Sequence, residues 1–596
     1  METAQKLEAL RKAMEEAGVT AYYINTADFH NSEYVNDYFK VREFFTGFTG
    51  SAGELLVFKD SAYLWTDGRY FEQAEKEIAG SGIELLKSGQ KGVETVWQLV
   101  ERRLGSGDVF GFDGRTMNTA HGRRFRNLSK KKGFTINYRL DLSDGIFERP
   151  AFPVSTVEII PDTLAGESVA EKLEKVRQEM KKMYVNALFI TRLDDIMWLF
   201  NIRGNDIEYN PMLLSFAFIT NGSAWIFLQR KAVNKEYEKK ASKDGVTIGD
   251  YDDIRSYLKR SPYVCGNVLI DEKEVSYTLY RLIKKRVDKV IFDINPTQRL
   301  KAVKNPVEIE NMKRLYIQDS LAVTRFIREM VTNPEKKTYT EISAQKYLNE
   351  LRKAIPEYRD LSFATICAYG PNAAMMHYEA SEDNRVEIEN KGLLLVDSGA
   401  QYNGATTDIT RTICMGELTK EEKEAYTLTA IGMLKLHNAI FLMGCTGRNL
   451  DILARERMWE RGMDYKSGTG HGVGYILSVH EGPHAIRWRA GGKEEALKPG
   501  MVVTNEPGVY RAGKFGVRIE NVMLVAQHEE TADGDFLKFE PLTFAPIDDK
   551  GVDRSMMSTG ELNQYLSYQK SVYDTLAPFL DQDEKDWLLQ YAGIEA

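Results

Sequence analysis

The chain has few cysteines and no long apolar run, and both shortages limit the classes of protein to which it can belong. Four cysteines are scattered through 596 residues without a CxxC pair. This argues against a dense disulfide framework and favours a reducing compartment. No apolar stretch approaches the ~18 residues of a membrane-spanning helix. The first segment, METAQKLEALRKAMEEAG, is charged and amphipathic, so we expect a helix and not a signal peptide. These features predict a cytoplasmic protein with no membrane partner.

An excess of positive charge is also lacking. The formal net charge is −8, and the composition is 43% hydrophobic and 28% charged, which is ordinary for globular proteins. The net negative charge argues against a general nucleic-acid surface. The chain is too long for a single core, so three or four domains are expected.

The first half of the chain contains an internal repeat. Lys6 aligns with Lys172, and the same shift aligns identical residues, without a gap, as far as Asp28 and Asp194. Each copy has the pattern of an amphipathic helix followed by a strand, YYIN in one copy and LFIT in the other. The pattern predicts two duplicated α/β domains.

Prolines mark the predicted boundaries. Pro150, Pro153 and Pro161 lie in a segment without clear periodicity, and Pro296 and Pro306 mark a second junction, as expected of linkers. Beyond it, from Glu308 onward, helical segments such as 421–441 alternate with strands, which predicts an α+β domain with a mainly antiparallel sheet. The predicted chain has several domains, α/β followed by α+β. They are 1–152, its repeat 153–304, a third domain at 305–545 and a helical extension at 546–596.

Five side chains of metal-ligand type lie in short segments of the last half. They are Asp397, Asp408, His471, Glu506 and Glu520. Four carboxylates and an imidazole exceed what one ion needs and suit two hard divalent cations that share bridging carboxylates. Such a pair, about 3.5–4 Å apart, forms a water-activating hydrolytic centre. The oxygen-rich set favours Mn(II), with Co(II), Fe(II) and Zn(II) as alternatives.

Local patterns bring some of these residues together. Asn403-Gly404 is a strong hairpin signal, and a turn there places Asp397 opposite Thr410 and Asp408 near Gly399, so both aspartates share a face. In FGVRIENVML, alternation predicts a strand with Arg518 and Glu520 on one face. Glu506 follows shortly after the apolar run MVV and precedes Pro507-Gly508, where a strand should stop. Taken singly, each residue is more often an ordinary turn residue.

Motifs along nearly the whole chain carry a family resemblance. They include LWTDGRYF, AVKNPVEIENM, GPNAAMMHYEA, GTGHGVG, VHEGP, NEPGVY and KFGVRIEN. The chain resembles the pita-bread metallopeptidases, a group that includes methionine aminopeptidase, prolidase and aminopeptidase P. It looks most like the long three-domain form of the Xaa-Pro aminopeptidase family. The resemblance implies two creatinase-like domains before a pita-bread catalytic domain, a dinuclear manganese site, a cytosolic location and a homodimer.

The resemblance also implies roles for individual residues. The five residues above fall on the metal ligands, with Glu506 placed to take a proton from the attacking water. His377 and His480 fall on substrate-contacting histidines, and His377 would stabilise the oxyanion. Arg69, from the first domain, falls on a substrate-contacting arginine. Arg518 falls beside the last ligand and is a further candidate for substrate binding.

The sequence departs from the family pattern at four positions. Ser467 replaces a common histidine, and Ala405, Glu208 and Tyr565 also differ. His484 could take over part of the lost histidine's role, although we expect an ordinary surface-loop residue.

The expected activity is removal of an N-terminal residue that precedes proline, by attack of a hydroxide that bridges the two metal ions. The expected partners are therefore peptides with proline at the second position. Two alternatives stay open: a prolidase restricted to dipeptides, and a non-catalytic pita-bread module that binds peptides or histones.

Overall fold

The computed structural model describes residues 1–332, 339–489, 491–492 and 494–595. The chain forms two compact units. Unit 1 contains Met1–Asp162 and Glu167–Leu300, and unit 2 contains Thr163–Gly166 and Lys301–Ala596. Within the described ranges, no helix is both long enough and apolar enough to cross a bilayer.

Unit 1 begins with an α/β half built on a six-stranded sheet. Its helices are α1 (Thr3–Glu16), α2 (Val41–Thr46), α3 (Phe71–Glu77), α4 (Val96–Arg103) and α5 (Thr119–Lys132). Its strands are β1 (Ala21–Asn25), β2 (Glu54–Phe58), β3 (Ala62–Thr66), β4 (Glu84–Lys87), β5 (Val109–Phe112) and β6 (Thr135–Asn137).

The following residues form a second half of the same kind. Helix α6 (Asp162–Ala165) passes into unit 2 at Thr163. The helices of this half are α7 (Val169–Lys182), α8 (Leu193–Phe200), α9 (Lys235–Lys243), α10 (Ile254–Arg260), α11 (Tyr277–Ile283) and α12 (Pro296–Ala302). The strands are β7 (Glu158–Ile159), β8 (Ala187–Ile190), β9 (Ile202–Arg203), β10 (Ser215–Thr220), β11 (Ala224–Leu228), β12 (Val246–Asp250), β13 (Asn267–Ile270) and β14 (Lys289–Phe292).

The two sheets share one topology, which confirms the predicted duplication. Their orders are β4-β3-β2-β1-β5-β6 and β12-β11-β10-β8-β13-β14. Corresponding pairs also have the same sense: β1–β2 and β8–β10 are antiparallel, whereas β1–β5 and β8–β13 are parallel. In α1, Leu7, Leu10 and Met14 are buried, and this helical spacing is the reason the repeat is visible in the sequence.

Unit 2 is an α+β structure. Its helices are α13 (Pro306–Thr332), α14 (Glu341–Lys353), α15 (Lys420–His437), α16 (Gly447–Trp459), α17 (Thr559–Leu576) and α18 (Gln582–Ala592). Its first strands are β15 (Tyr358–Leu361), β16 (Ile366–Tyr369), β17 (Leu393–Ser398), β18 (Ala400–Tyr402), β19 (Ala405–Thr406), β20 (Ile409–Cys414) and β21 (Ile440–Leu442). The remaining strands are β22 (Gly470–Gly472), β23 (Glu481–Ile486), β24 (Val502–Asn505), β25 (Gly508–Arg511), β26 (Phe515–Arg518), β27 (Asn521–Thr531) and β28 (Gly534–Pro541).

Two sheets of unit 2 position the candidate site. One has the order β16-β17-β20, and the other has the order β21-β28-β27-β24-β22-β23. Their strands pair in the antiparallel sense, as predicted. The helix predicted over 421–441 ends at His437, because Ile440–Leu442 pairs with β28 as an edge strand. Tyr565, Val572 and Leu588 of the C-terminal helices belong to the same buried cluster as Met433.

Candidate metal centre

A bent hairpin supplies the two aspartates. Asp397 pairs with Thr410, and Tyr402 pairs with Ala405 across the Asn403-Gly404 turn, as predicted. The two arms pass from one sheet to another between β17 and β18 and between β19 and β20. At this bend, a Cβ on Gly399 would lie 1.9 Å from the Thr407 carbonyl oxygen. Glycine therefore allows the close backbone approach that brings Asp408 alongside Asp397.

The other three residues come from neighbouring strands of the second sheet. His471 lies in β22, Glu506 directly follows β24, and Glu520 directly precedes β27. The strand predicted through FGVRIENVML is interrupted at Ile519 and Glu520. At this break the Glu520 backbone amide donates to the Thr410 carbonyl at 3.1 Å. That hydrogen bond joins the second sheet to the aspartate hairpin.

The side chains converge closely. His471 Nε2 lies 3.4 Å from Asp408 Oδ2 and 3.5 Å from Glu506 Oε1. One ligand atom each from Asp408, His471 and Glu520 lie within 4.8 Å of one another. His471 Nδ1 is 2.8 Å from the Gly472 carbonyl oxygen. A proton on Nδ1 donates to that carbonyl and leaves Nε2 to face the carboxylates, the usual arrangement of a metal-binding histidine.

Arg518 and Thr410 hold two of the carboxylates in place. Arg518 Nη2 donates to Asp397 Oδ2 at 2.6 Å, and its Nε donates to Thr410 Oγ1 at 3.2 Å. Thr410 Oγ1 in turn donates to Glu520 Oε2 at 2.6 Å. Sequence reasoning missed Thr410, although its predicted position opposite Asp397 was a usable signal. The Arg518 Nη1 atom donates to the Tyr510 hydroxyl at 2.6 Å.

The carboxylates disfavour one another's ionisation. Burial raises the pKa of Asp397 to about 6 although Arg518 opposes the rise, and the charge of Asp408 adds to it. Burial, followed by the charges of Asp408 and Glu506, holds the pKa of Glu520 well above its usual range. Burial also raises the pKa of Glu506. For His471, burial lowers the pKa, but the hydrogen bond with Asp408 and the charge of Glu506 together raise it to about 9.

This arrangement fits divalent cations. Asp397 Oδ1 is buried and has no hydrogen-bond partner among the described residues. A buried, unpaired carboxylate oxygen in a cluster of like charges is costly unless a cation or another positive group faces it. Arg518 supplies one positive charge, but its guanidinium faces the other oxygen of this carboxylate, Oδ2. The donor set of four carboxylates and one imidazole matches hard divalent ions.

The two substrate-histidine candidates lie in segments that contact the site. The His480 ring makes an edge-to-face contact with the His471 ring, with centroids 4.4 Å apart. His377 directly follows Met376, whose carbonyl accepts a hydrogen bond from Arg518 Nη2 at 3.5 Å. Arg69 belongs to unit 1, where its Nη2 lies 2.8 Å from Asp67 Oδ2.

The expectation that His484 is a surface-loop residue is wrong. His484 lies in β23, is 2% exposed and bonds through Nε2 with the Val502 carbonyl at 2.8 Å. Burial lowers its pKa to about 4, so the ring is neutral at physiological pH. Ser467 precedes β22, and its carbonyl accepts from Arg455 Nη2 at 2.9 Å.

A buried ion cluster next to His480 also went unnoticed in the sequence. Glu481 forms ion pairs with Lys304 and, at 3.6 Å, with Lys301. All three side chains are nearly inaccessible. The cluster ties the segment before α13 to the start of β23, the strand that follows His480. No local sequence pattern predicts this contact, because the partners are far apart along the chain.

Comparisons with known proteins agree with this geometry. Xaa-Pro aminopeptidase 1 of Dictyostelium discoideum is 34% identical over 604 residues, which cover 98% of this chain and 95% of the relative. The model of metallopeptidase family M24 matches residues 310–527. The chain belongs to metallopeptidase family M24. Further matches to this M24 metallopeptidase are the creatinase/prolidase N-terminal domain, at 6–135 and again at 148–308, and the C-terminal region of the M24 peptidases at 535–592.

Solved structures extend the comparison of the M24 chain. X-prolyl aminopeptidase from Caenorhabditis elegans, described as a cytosolic enzyme with a di-nuclear active site, has a TM-score of 0.93 and 31% identity and covers 99% of both chains. A recombinant prolidase from Thermococcus sibiricus has a TM-score of 0.51 and 24% identity, and the match covers 64% of this chain and 98% of the prolidase. The second likeness concerns the fold alone.

Proposed function

We propose that this M24 metallopeptidase releases the N-terminal residue from peptides with proline at the second position. The observation that carries the proposal is the clustering of the five candidate ligands in a chain that matches an X-prolyl aminopeptidase along 99% of its length. The relative that is 34% identical across 98% of this chain is also named an Xaa-Pro aminopeptidase, which favours this activity over that of a prolidase restricted to dipeptides. A non-catalytic binding module would need neither the complete ligand set nor the buried, unpaired Asp397 oxygen.

Two divalent cations complete the site in this proposal. Asp397 and Asp408 would hold one ion, and Asp408, His471, Glu506 and Glu520 would share the other. Mn(II) suits the oxygen-rich set best, with Co(II), Zn(II) and Fe(II) as alternatives. When bound, such a pair acidifies a water molecule and polarises the scissile carbonyl.

The chain's own groups have distinct tasks. Glu506 accepts the proton of the attacking water, because its carboxylate belongs to the cluster and its side chain is 20% exposed, which leaves it accessible to that water. His377 donates to the developing oxyanion, and His480 contacts the substrate next to His471. Proline offers no backbone N–H, so the residue after the scissile bond must be recognised by the shape of an apolar pocket.

Arg518 acts in this proposal as a positioning residue and not as a substrate contact. It is 3% exposed, and its Nε, Nη1 and Nη2 atoms already donate to Thr410, Tyr510 and Asp397. The guanidinium therefore fixes the orientation of Asp397. Arg69 keeps its proposed substrate role on the strength of the family motif TDGRYF alone.

We further propose a cytoplasmic homodimer with domains at 1–152, 153–304, 305–545 and 546–596. Support for association comes from apolar surface on unit 2. Ile452 and Trp459 lie two turns apart on α16 and are each 41% exposed, and Trp459 contacts Trp488, which is 39% exposed. Exposed aromatic and aliphatic side chains on one face are typical of a protein interface.

One assay tests the activity. Purified protein is given Xaa-Pro-Yaa peptides, Xaa-Pro dipeptides and matched Xaa-Ala-Yaa peptides, each with Mn(II) and after chelation. We expect rapid release of the first residue from Xaa-Pro-Yaa only when metal is present, and little turnover of the alanine peptides. Dipeptides as the sole substrates would instead identify a prolidase, and metal-independent turnover would exclude the proposed centre.

A further inference from the structure

A basic groove in unit 1 is unrelated to the metal centre. It is open to solvent, has a volume of about 700 Å³ and is lined by seven lysine or arginine side chains and one acidic residue, Asp288. The whole chain has more acidic than basic residues, 87 against 79. On an ordinary solvated surface of such a chain, acidic and basic side chains would alternate. Basic side chains collected in one concave surface therefore favour the binding of an anion.

Two packed helices build the groove. Arg123, Arg126 and Lys130 recur at helical spacing on α5 and line one wall. Helix α11 packs against α5 where a Cβ on Gly122 would lie 2.3 Å from the Tyr277 ring. This close approach sets the two helices at the base of the groove.

The opposite wall adds further cations. Arg281 lies in α11, and Lys284 and Lys285 directly follow that helix. The next strand, β14, begins with Lys289 at the same groove. The cations on both walls therefore line the same groove.

Two guanidinium groups are held in position, and other cations are left for a ligand. Arg123 pairs with Glu272 and stacks on the Phe292 ring at 4.1 Å, while Arg281 Nη1 donates to the Tyr277 hydroxyl at 3.2 Å. In the part of the chain that the structure describes, the side chains of Arg126, Lys130 and Lys285 have no ion pair or hydrogen bond. Fixed guanidinium forks beside free ammonium groups suit the oxygens of phosphate esters.

We propose that this groove binds a small ligand that carries several phosphate groups. The volume of the groove lies within the range of small-molecule sites, about 300–1,000 Å³. A concave site of this size favours a compact polyphosphate over an extended nucleic-acid strand. Several charges are required because a single phosphate would leave most of the cations unpaired.

Isothermal titration of the full-length chain with tripolyphosphate, without added metal so that chelation does not contribute, tests the proposal. We expect one tripolyphosphate per chain and weaker binding as salt is raised. Arg126→Gln combined with Lys285→Gln should raise the Kd about tenfold or more, the effect of losing roughly 1.4 kcal/mol. The matched control is Lys12→Gln combined with Lys132→Gln, which removes the same charge from exposed residues outside the groove and should leave the Kd unchanged.

Other results would overturn the proposal. No binding to the wild-type chain, or equal weakening in the control pair, would mean that the groove is only a solvated charged face. Equal affinity for citrate would show that phosphate is not selected. Tighter binding of a single-stranded oligonucleotide that exceeds the groove in length would assign the surface to nucleic acid.

Discussion

Arg518 and Asp397 form a buried ion pair, with Nη2 2.6 Å from Oδ2. Arg518 ends β26, which pairs with β25, whereas Asp397 belongs to the β16-β17-β20 sheet. The pair fixes one oxygen of a carboxylate whose other oxygen, Oδ1, has no hydrogen-bond partner among the described residues. The arginine thus orients a metal-ligand candidate without occupying its free oxygen.

Replacing Arg518 should affect catalysis more than it affects the stability of the fold. Arg518→Lys keeps the charge but loses the planar fork that reaches Asp397 and Tyr510 at once. We expect kcat/KM to fall about 10–100-fold, as for other residues that orient metal ligands, with weaker Mn(II) retention on dialysis. Arg511→Lys, on the paired strand β25, is the control and should behave like the wild type. Wild-type kinetics and metal content in Arg518→Lys would contradict the positioning role.

Removal of a ligand should abolish turnover and leave unit 1 folded. Metal analysis of wild-type protein prepared in Mn(II) should find about two ions per chain. Asp408→Ala and Glu520→Ala should each lose nearly all activity and at least one ion, because Asp408 is proposed to contact both ions and Glu520 to contact one. Glu530→Ala, at an exposed position of β27, serves as the control. Full activity of either ligand variant would refute the assignment.

Arg69 should affect substrate binding more than chemistry. A guanidinium suits backbone carbonyls or a carboxylate beyond the scissile bond. We expect Arg69→Ala to raise KM for Xaa-Pro-Yaa and longer peptides, with a smaller change in kcat. Arg103→Ala removes an arginine of similar exposure, 26% against 28%, that is paired with Asp60 in unit 1, and it should change neither constant. If Arg69→Ala matches this control, the residue only forms a surface ion pair with Asp67.

Local patterns in the sequence predicted a large share of this structure. The β17–β20 register followed from one Asn-Gly turn, and the buried Leu7 and Met14 of α1 revealed the repeat. The end of β24 at Asn505 also followed from the Pro507-Gly508 pair. These features depend on neighbours in the chain, where turn chemistry and periodicity carry the information.

Long-range contacts could not be predicted in the same way. The ion pair of Lys304 with Glu481 and the burial of His484 depend on how β23 packs, which no local period encodes. The break at Glu520 likewise arises because its backbone amide bonds to Thr410 in another sheet. Tertiary hydrogen bonds therefore overrode the strand pattern of the sequence.

The apolar face of α16 should mediate dimerisation. Ile452→Glu places a charge next to exposed apolar surface, and desolvating that charge opposes association. Light scattering should show a dimer for the wild type and a monomer for this variant at micromolar concentration. Phe579→Glu, at a residue that is 48% exposed elsewhere on unit 2, should remain dimeric. An unchanged mass for Ile452→Glu would place the interface on another surface.

A buried histidine should make stability depend on pH. Burial lowers the pKa of His437 from 6.5 to about 4, and Nδ1 has no partner within the described residues. Between these values the unfolded chain binds more protons than the folded chain, so stability falls as pH drops from 6.5 toward 4. In urea unfolding at pH 7.5 and pH 5, His437→Phe should lose less stability than the wild type, by on the order of 1–2 kcal/mol. An equal loss in both proteins would contradict this assignment.

The division of the ligands between two sheets makes the centre a pair of half-sites. The aspartate hairpin holds two carboxylates, and β22, β24 and β27 hold the other three groups, so neither sheet can chelate a cation pair alone. Cation retention would then report whether the two sheets have docked correctly. A chain in which either sheet is misplaced would not bind the metal pair, even if each sheet were well formed. Metal loading of the enzyme is therefore coupled to completion of its tertiary fold.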